Sequence, residues 1–206
     1  GLMFVHYKRE NAKPPLASRG GGGSTCYAFL AKGAKWKTVE PWVVNTANSE
    51  GLSDGFVLSN LTADIQKWED TSSFNILGNG YSTSDVLVAD TSSPDDKNEV
   101  YFADVSSPGA IAVTTVWGIF YGPIQNRELV EWDQIYDDVD FGWSPLGEIG
   151  KMDFENIATH ELGHSVGMGH PSSGCTEETM YAYADFGETK KRDLNTGDVA
   201  GIGKLY

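Results

Sequence analysis

Residues 160–170 are His-Glu-Leu-Gly-His-Ser-Val-Gly-Met-Gly-His, and this stretch decides the fold. On a helix, His160 and His164 lie one turn apart, so that both imidazoles project from the same face. Gly167 predicts the end of the helix, because glycine adopts the left-handed conformation that turns the chain back and brings His170 toward the other two histidines. Three neutral imidazoles suit a zinc ion that keeps a fourth, open position, and Glu161 is placed beside it to take a proton from water.

The spacing H-E-x-x-H-x-x-G-x-x-H, followed by a methionine in a turn, resembles the catalytic domains of the metzincin zinc peptidases. Here the candidate turn is Thr179-Met180-Tyr181. The ending LNTGDVAGIGKLY (194–206) and the segment Lys35-Trp36-Lys37 are similar to the matrixins within that class. The resemblance implies an α+β fold with a twisted, mostly parallel sheet, two long helices, an active-site cleft and a small C-terminal subdomain that ends in a helix. The domain is expected to cover 26–206, with an upper part over 26–170 and a lower part over 171–206.

The resemblance also implies an activity and a role for each site residue. We expect a zinc-dependent endopeptidase that acts on extended protein or peptide substrates. In it His160, His164 and His170 bind one catalytic zinc, Glu161 is the general base, and Met180 lies beneath the metal.

Two alternatives stay open at this stage. One is a metal-binding module without catalysis, although binding zinc would not require the Glu161 carboxylate. The other keeps hydrolysis but takes the third metal ligand from a downstream glutamate, Glu177 or Glu178. The sequence does not indicate which peptide bonds are preferred.

Cys26 and Cys175 are the two cysteines of the chain. The resemblance to secreted peptidases favours a disulfide between them, because disulfides persist in oxidising compartments. The alternatives are two buried thiols, or a Cys26 thiolate that occupies the open position on zinc.

Bulk composition limits the partners. A net charge of −14 argues against nucleic acid, whose phosphates would be repelled. No run of about twenty apolar residues predicts a membrane span. We expect a monomer that is secreted or extracytoplasmic, with surface anchoring through a segment missing from the N-terminus as a further alternative.

Charged clusters have two interpretations. The acidic groups Asp95-Asp96-Asn98-Glu99 and Asp133-Asp137-Asp138-Asp140 could hold calcium, or they are solvated loops. The basic run Lys190-Lys191-Arg192 is interpreted as a solvated loop face.

Residues 1–25 differ in composition from the rest. Their basic, proline-containing sequence and the glycine run at 20–23 predict a flexible leader. It is interpreted as the remnant of a signal peptide or anchor, with a propeptide as the alternative.

Several elements are predicted around the motif. Ser53 or Asp54 caps a first helix to about Asp70, Asp153 caps the metal-binding helix, and a last helix begins at Thr196. Strands are predicted over 37–45, 74–77, 98–105, 110–121 and 129–136. Substrate is expected to lie as an extended strand along an edge formed by residues 109–117, unless that strand is an interior one.

Overall fold

The structure is a computed structural model that describes residues 1–9 and 25–206. These residues contain three α-helices, α1 (Asp54–Ser72), α2 (Phe154–Ser165) and α3 (Thr196–Leu205). The strands are β1 (Leu2–Lys8), β2 (Ala28–Phe29), β3 (Trp42–Asn45), β4 (Gly80–Thr83), β5 (Asn98–Ala103), β6 (Ala110–Ile119), β7 (Glu128–Asp137), β8 (Trp143–Ser144), β9 (Met152–Asp153), β10 (Met168–Gly169) and β11 (Tyr183–Ala184).

One mixed sheet organises the molecule. Its strands lie in the order β11-β1-β6-β7-β5-β3-β4. The pairings of β1 with β6 and of β6 with β7 are antiparallel, and the other four are parallel. A mostly parallel sheet that carries helices agrees with the predicted α+β class.

Helix α1 packs its inner face against the sheet and against α2. Ser53 caps it by accepting a hydrogen bond from the backbone N–H of Phe56. Val57, Leu61 and Trp68 are fully buried on that face. The Trp68 indole N–H donates to the carbonyl of Thr159 at 3.0 Å, so that α1 is tied directly to the helix that carries the metal motif. None of the helices within the described residues has the length and apolar character needed to cross a membrane.

The first residues are not the flexible leader that composition predicts. Residues 2–8 form β1, which runs antiparallel to β6 from the pair Leu2–Val116 to the pair Tyr7–Ala110. Val5 and Tyr7 pack on a small apolar cluster that contains Val113. Pairing with β6 thus gives this segment a regular structure. The remainder of the predicted leader, 10–24, lies outside the described residues.

Strand β1 also changes the predicted peptide-binding edge. Residues 109–117 fall in and beside β6, which lies between β1 and β7 in the sheet. The prediction of a free edge is therefore wrong for this structure, because the edge is already paired with an extended strand of the same chain.

Candidate functional site

Helix α2 carries the motif at its C-terminal end. Asp153 caps the helix through a hydrogen bond from the N–H of Asn156 at 2.9 Å, as the sequence predicts. The helix ends at Ser165, and Gly167 has φ of 105°, a conformation that side chains rarely adopt. The predicted reversal at Gly167 is confirmed.

Three imidazoles converge beyond this reversal. His170 Nε2 lies 3.2 Å from His160 Nε2 and 3.0 Å from His164 Nε2. The other ring nitrogens are engaged by backbone: His160 Nδ1 lies 2.6 Å from the carbonyl of Thr179 and His164 Nδ1 lies 2.8 Å from that of Met168. Carbonyls accept, so both rings carry their proton on Nδ1 and leave a bare Nε2 lone pair for a metal.

These donors fit zinc. Tetrahedral ligands at zinc–nitrogen distances of about 2.0–2.1 Å lie about 3.3 Å apart, close to the separations observed. Burial lowers the pKa of His160 and His164 well below the usual histidine value, and lowers that of His170 to about 4. Neutral imidazoles are the form that binds a metal, so the site suits a divalent cation without competition from protons near neutral pH.

Met180 and its turn pack against helix α2. A Cβ added at Gly163 would collide with the Met180 sulfur, so the turn packs directly on the backbone of α2. Asp198 of α3 accepts hydrogen bonds from the N–H groups of Thr179, at 2.7 Å, and Met180, at 3.1 Å. Helix α3 therefore holds the carbonyl that orients His160.

A disulfide and a short strand pair position His170. Strand β10, just before His170, pairs with β2. Cys26 and Cys175 are bonded, with a sequence separation of 149. The predicted disulfide is present, and it ties the loop after His170 to the start of the region that follows residue 24.

Glu161 lies beside the imidazoles and is fully buried. The hydroxyl of Thr114, on β6, donates to Glu161 Oε2 at 2.5 Å. Burial raises the pKa of Glu161 to about 8, although the Thr114 hydrogen bond and the charge of Lys191 oppose the rise. A carboxyl group with this pKa can exchange a proton near neutral pH.

Strand β1 covers the site. The Phe4 ring stacks on His164 with centroids 4.4 Å apart, and the His6 ring stacks on His160 at 3.9 Å. His6 Nδ1 lies 3.2 Å from Glu161 Oε1. The first strand thus lies across the metal-binding face of α2, between β6 and β11.

The basic run 190–192 is not a solvated face, contrary to the sequence interpretation. Lys191 is fully buried, and Arg192 pairs with Asp153 through Nη2 and Oδ2 at 2.6 Å. Lys191 Nζ donates to the carbonyl of Tyr181 at 2.5 Å and lies 2.8 Å from His6 Nε2.

Neither glutamate proposed as an alternative ligand joins the imidazoles. Glu178 Oε2 accepts hydrogen bonds from the N–H groups of Gly197 and Asp198 at the start of α3. Glu177 is exposed and pairs with Lys190. Among the described residues, His160 and His164 of α2 form a potential metal-binding group with His170, and His160 and Glu161 form a second one with His6.

The predicted acidic clusters are rearranged. Oxygens of Asp95, Asp90 and Glu131 lie within 4.8 Å of one another, and Glu131 is fully buried. Burial raises the pKa of Glu131 to about 7 and that of neighbouring Asp133 to about 8. Asp137 accepts hydrogen bonds from the N–H groups of Val105, Val139 and Asp140, so it serves the turn after β7.

Sequence reasoning missed His6, Thr114 and Lys191. Thr114 lies inside a predicted strand and nothing distinguishes it locally. For His6 a signal existed: it is the one histidine of the four outside the motif, in a run of strand-forming residues. Lys191 carries no such signal, because only tertiary contacts make it buried.

Comparison with known proteins agrees with this geometry. A family model described as Matrixin matches residues 35–206. Metalloendoproteinase 2-MMP of Arabidopsis thaliana is 31% identical over 141 residues, which are 68% of this chain and 34% of that protein. Matrilysin of Homo sapiens is 41% identical over 69 residues, or 34% of this chain and 25% of that protein. The chain thus aligns with about a third or less of the length of these relatives. Because the family model covers most of the chain, this protein belongs to the matrixin family.

Proposed function

We propose that residues 26–206 are a zinc-dependent endopeptidase domain that hydrolyses peptide bonds in extended protein substrates. The observation that carries the proposal is the convergence of three buried imidazoles beside a buried carboxyl group, in a chain of the matrixin family. A binding module without catalysis would need the imidazoles but not Glu161.

Each residue has a stated task. His160, His164 and His170 hold the zinc, which when bound supplies Lewis-acid polarisation of a peptide carbonyl and lowers the pKa of water. Glu161 accepts the proton of the attacking water on its carboxylate and passes it to the leaving amine. Thr114 fixes Glu161 Oε2 by its hydrogen bond, so that Oε1 is the oxygen available for proton transfer.

Substrate is held as an extended strand along β6, in the place that β1 occupies in this structure. This is supported by β1, which pairs antiparallel with β6 and parallel with β11 while it crosses the metal-binding face. Main-chain hydrogen bonds of this kind provide affinity that depends weakly on sequence.

Strand β1, which is the part of the predicted leader that the structure describes, acts as a propeptide segment that occupies this cleft. Phe4 and His6 stack on two of the metal-binding rings, and His6 contacts Glu161. A peptide that uses the same backbone groups of β6 must displace β1. We therefore assign to the first strand the propeptide role, rather than that of a signal or anchor remnant.

Calcium is assigned to the group of Asp90, Asp95 and Glu131. Glu131 Oε1 is buried without a hydrogen-bond partner, and hard oxygen ligands are those that calcium prefers.

The protein is secreted in this proposal, because the disulfide between Cys26 and Cys175 persists in oxidising compartments.

Substitution of Glu161 tests the catalytic assignment. In zinc-loaded full-length protein, Glu161→Gln should retain the zinc and lose at least about a hundredfold in cleavage of a denatured protein. His170→Ala should instead lower the zinc content, because it removes a ligand. Glu148→Gln is the matched control, since Glu148 lies on the surface. Activity of Glu161→Gln within a few-fold of the unaltered protein contradicts the assignment.

A further inference from the structure

The His6 side chain fills a pocket beneath β1. It is 1% exposed, and its two ring nitrogens face opposite partners. Nδ1 lies 3.2 Å from Glu161 Oε1, and Nε2 lies 2.8 Å from Lys191 Nζ. Burial lowers the pKa of Lys191 to about 7. In its ammonium form Lys191 has only donors, so that Nε2 accepts from it and the ring proton is on Nδ1, on the side of Glu161. One side chain thus lies between a carboxyl group and an amino group, and neither His6 Nδ1 nor Glu161 Oε1 has a hydrogen-bond partner of its own.

Lys191 closes the far end of this pocket in a fixed position. Its backbone N–H donates to Asn156 Oδ1 at 2.7 Å, which anchors the turn to α2. Its Nζ donates to the carbonyl of Tyr181 at 2.5 Å. The side chain is therefore held from both ends while its ammonium faces the occupant of the pocket.

His6, which occupies the pocket, supplies Lys191 with a second hydrogen-bond acceptor beside the Tyr181 carbonyl. Among residues 1–9 and 25–206, no carboxylate forms an ion pair with Lys191 Nζ, and its two acceptors are the Tyr181 carbonyl and His6. An ammonium has three donors, and a buried donor without an acceptor is costly. With an apolar occupant only the Tyr181 carbonyl remains as an acceptor, and two of the three donors are left without one in a buried site.

We propose that Lys191 determines the specificity of this pocket, and that a peptide side chain entering it in place of His6 must carry a hydrogen-bond acceptor. Imidazole, carboxamide and carboxylate groups meet this requirement, whereas leucine and other apolar side chains of similar size do not. The inference rests on the proposed function, because it takes β1 as a stand-in for bound substrate. A site built to bond a polar group rejects the analogue that lacks it.

Peptide binding to the full-length protein tests the proposal. The probes are labelled peptides that copy residues 2–8, with histidine, glutamine or leucine at the position of His6, and binding is followed by fluorescence anisotropy on metal-free protein, where no cleavage occurs. All three peptides must displace β1, which lowers their affinities by the same factor. The ratio of their affinities therefore measures the preference of the pocket for the side chain at the position of His6. We expect the histidine and glutamine peptides to bind at least about tenfold more tightly than the leucine peptide.

Two variants attribute the preference to Lys191. Lys191→Met should remove the preference or reverse it toward leucine, whereas Lys190→Met, altered at the neighbouring and more exposed lysine, should preserve it. Equal affinity of the three peptides for the unaltered protein overturns the proposal, whether or not Lys191→Met folds. An unchanged ratio in folded Lys191→Met also overturns it. If no peptide binds, the proposal falls, while cleavage of protein substrate by the zinc-loaded enzyme shows separately whether the proposed function survives.

Discussion

Replacement of Phe4 by alanine should open the cleft that β1 covers. The Phe4 ring stacks on His164 at 4.4 Å and meets His170 edge-on at 6.1 Å, and its residue pairs with Thr114 on β6. Phe4→Ala removes these ring contacts but keeps the backbone of β1 intact. The substitution therefore weakens the covered state without altering a metal ligand or Glu161.

The size of the effect follows from the burial of the ring. Replacement of a fully buried phenylalanine by alanine costs about 3–5 kcal/mol. Phe4 is only partly buried, so about 2 kcal/mol is expected. With 1.4 kcal/mol for each factor of ten, the population in which β1 has left the cleft rises about 30-fold. Because apparent affinity scales with the competent fraction, kcat/KM for a peptide should rise by up to the same factor.

Kinetics and hydrogen exchange measure this opening. The first readout is kcat/KM for a fluorogenic peptide at saturating zinc, and the second is amide exchange in β6, where alternate N–H groups lose their partners when β1 leaves. Met3→Ala is the matched control, because Met3 immediately precedes Phe4 in β1 and is 59% exposed. It should change neither quantity by more than about twofold. If folded Phe4→Ala shows no gain in kcat/KM and no faster exchange in β6, β1 is not an inhibitory occupant.

Two further predictions concern stability. Reduction of the disulfide between Cys26 and Cys175 should lower the free energy of unfolding by at most roughly 5 kcal/mol, because the bond closes a loop with a sequence separation of 149. An unchanged urea midpoint under reductant would show that the disulfide does not contribute to stability. Burial raises the pKa of Asp133 to about 8, above its unfolded value, so ionisation of Asp133 destabilises the fold increasingly as pH rises from about 4 to 8. Asp133→Asn should therefore stabilise the protein in EDTA, with a larger shift of the urea midpoint at pH 8 than at pH 5; an equal or opposite difference refutes this explanation.

The convergence of the three histidines could be predicted because its determinants are local. The offsets between His160, His164 and His170 fix their positions once a helix and a glycine reversal are assumed, and the structure contains both. Helix α1 was predictable for the same reason, since Ser53 and the spacing of its apolar residues are short-range signals.

Strand prediction failed where a side chain competes for the backbone. Residues 74–77, predicted as a strand, are irregular in the structure. The carboxylate of Glu69, at the end of α1, accepts hydrogen bonds from the N–H groups of Ile76 and Leu77 at 2.7 and 2.9 Å. Those donors would otherwise enter a sheet ladder. The sequence around residues 74–77 does not show that the Glu69 carboxylate lies close enough to accept these hydrogen bonds.

The position of β1 over the site was not predicted for a different reason: it depends on a contact between two distant residues, His6 and Lys191. A histidine in a basic segment and a lysine in a basic run each predict exposure, since burying either group alone is costly. In the structure His6 accepts a hydrogen bond from Lys191, and β6 pairs with the strand that carries His6. Each of these buried groups is a hydrogen-bond partner of the other, across 185 residues of sequence. Such a pair cannot be recognised from either residue alone. The same contact explains why we expect the pocket to be selective. Lys191 loses a hydrogen-bond acceptor when His6 leaves, so a substrate side chain that offers no acceptor binds less tightly.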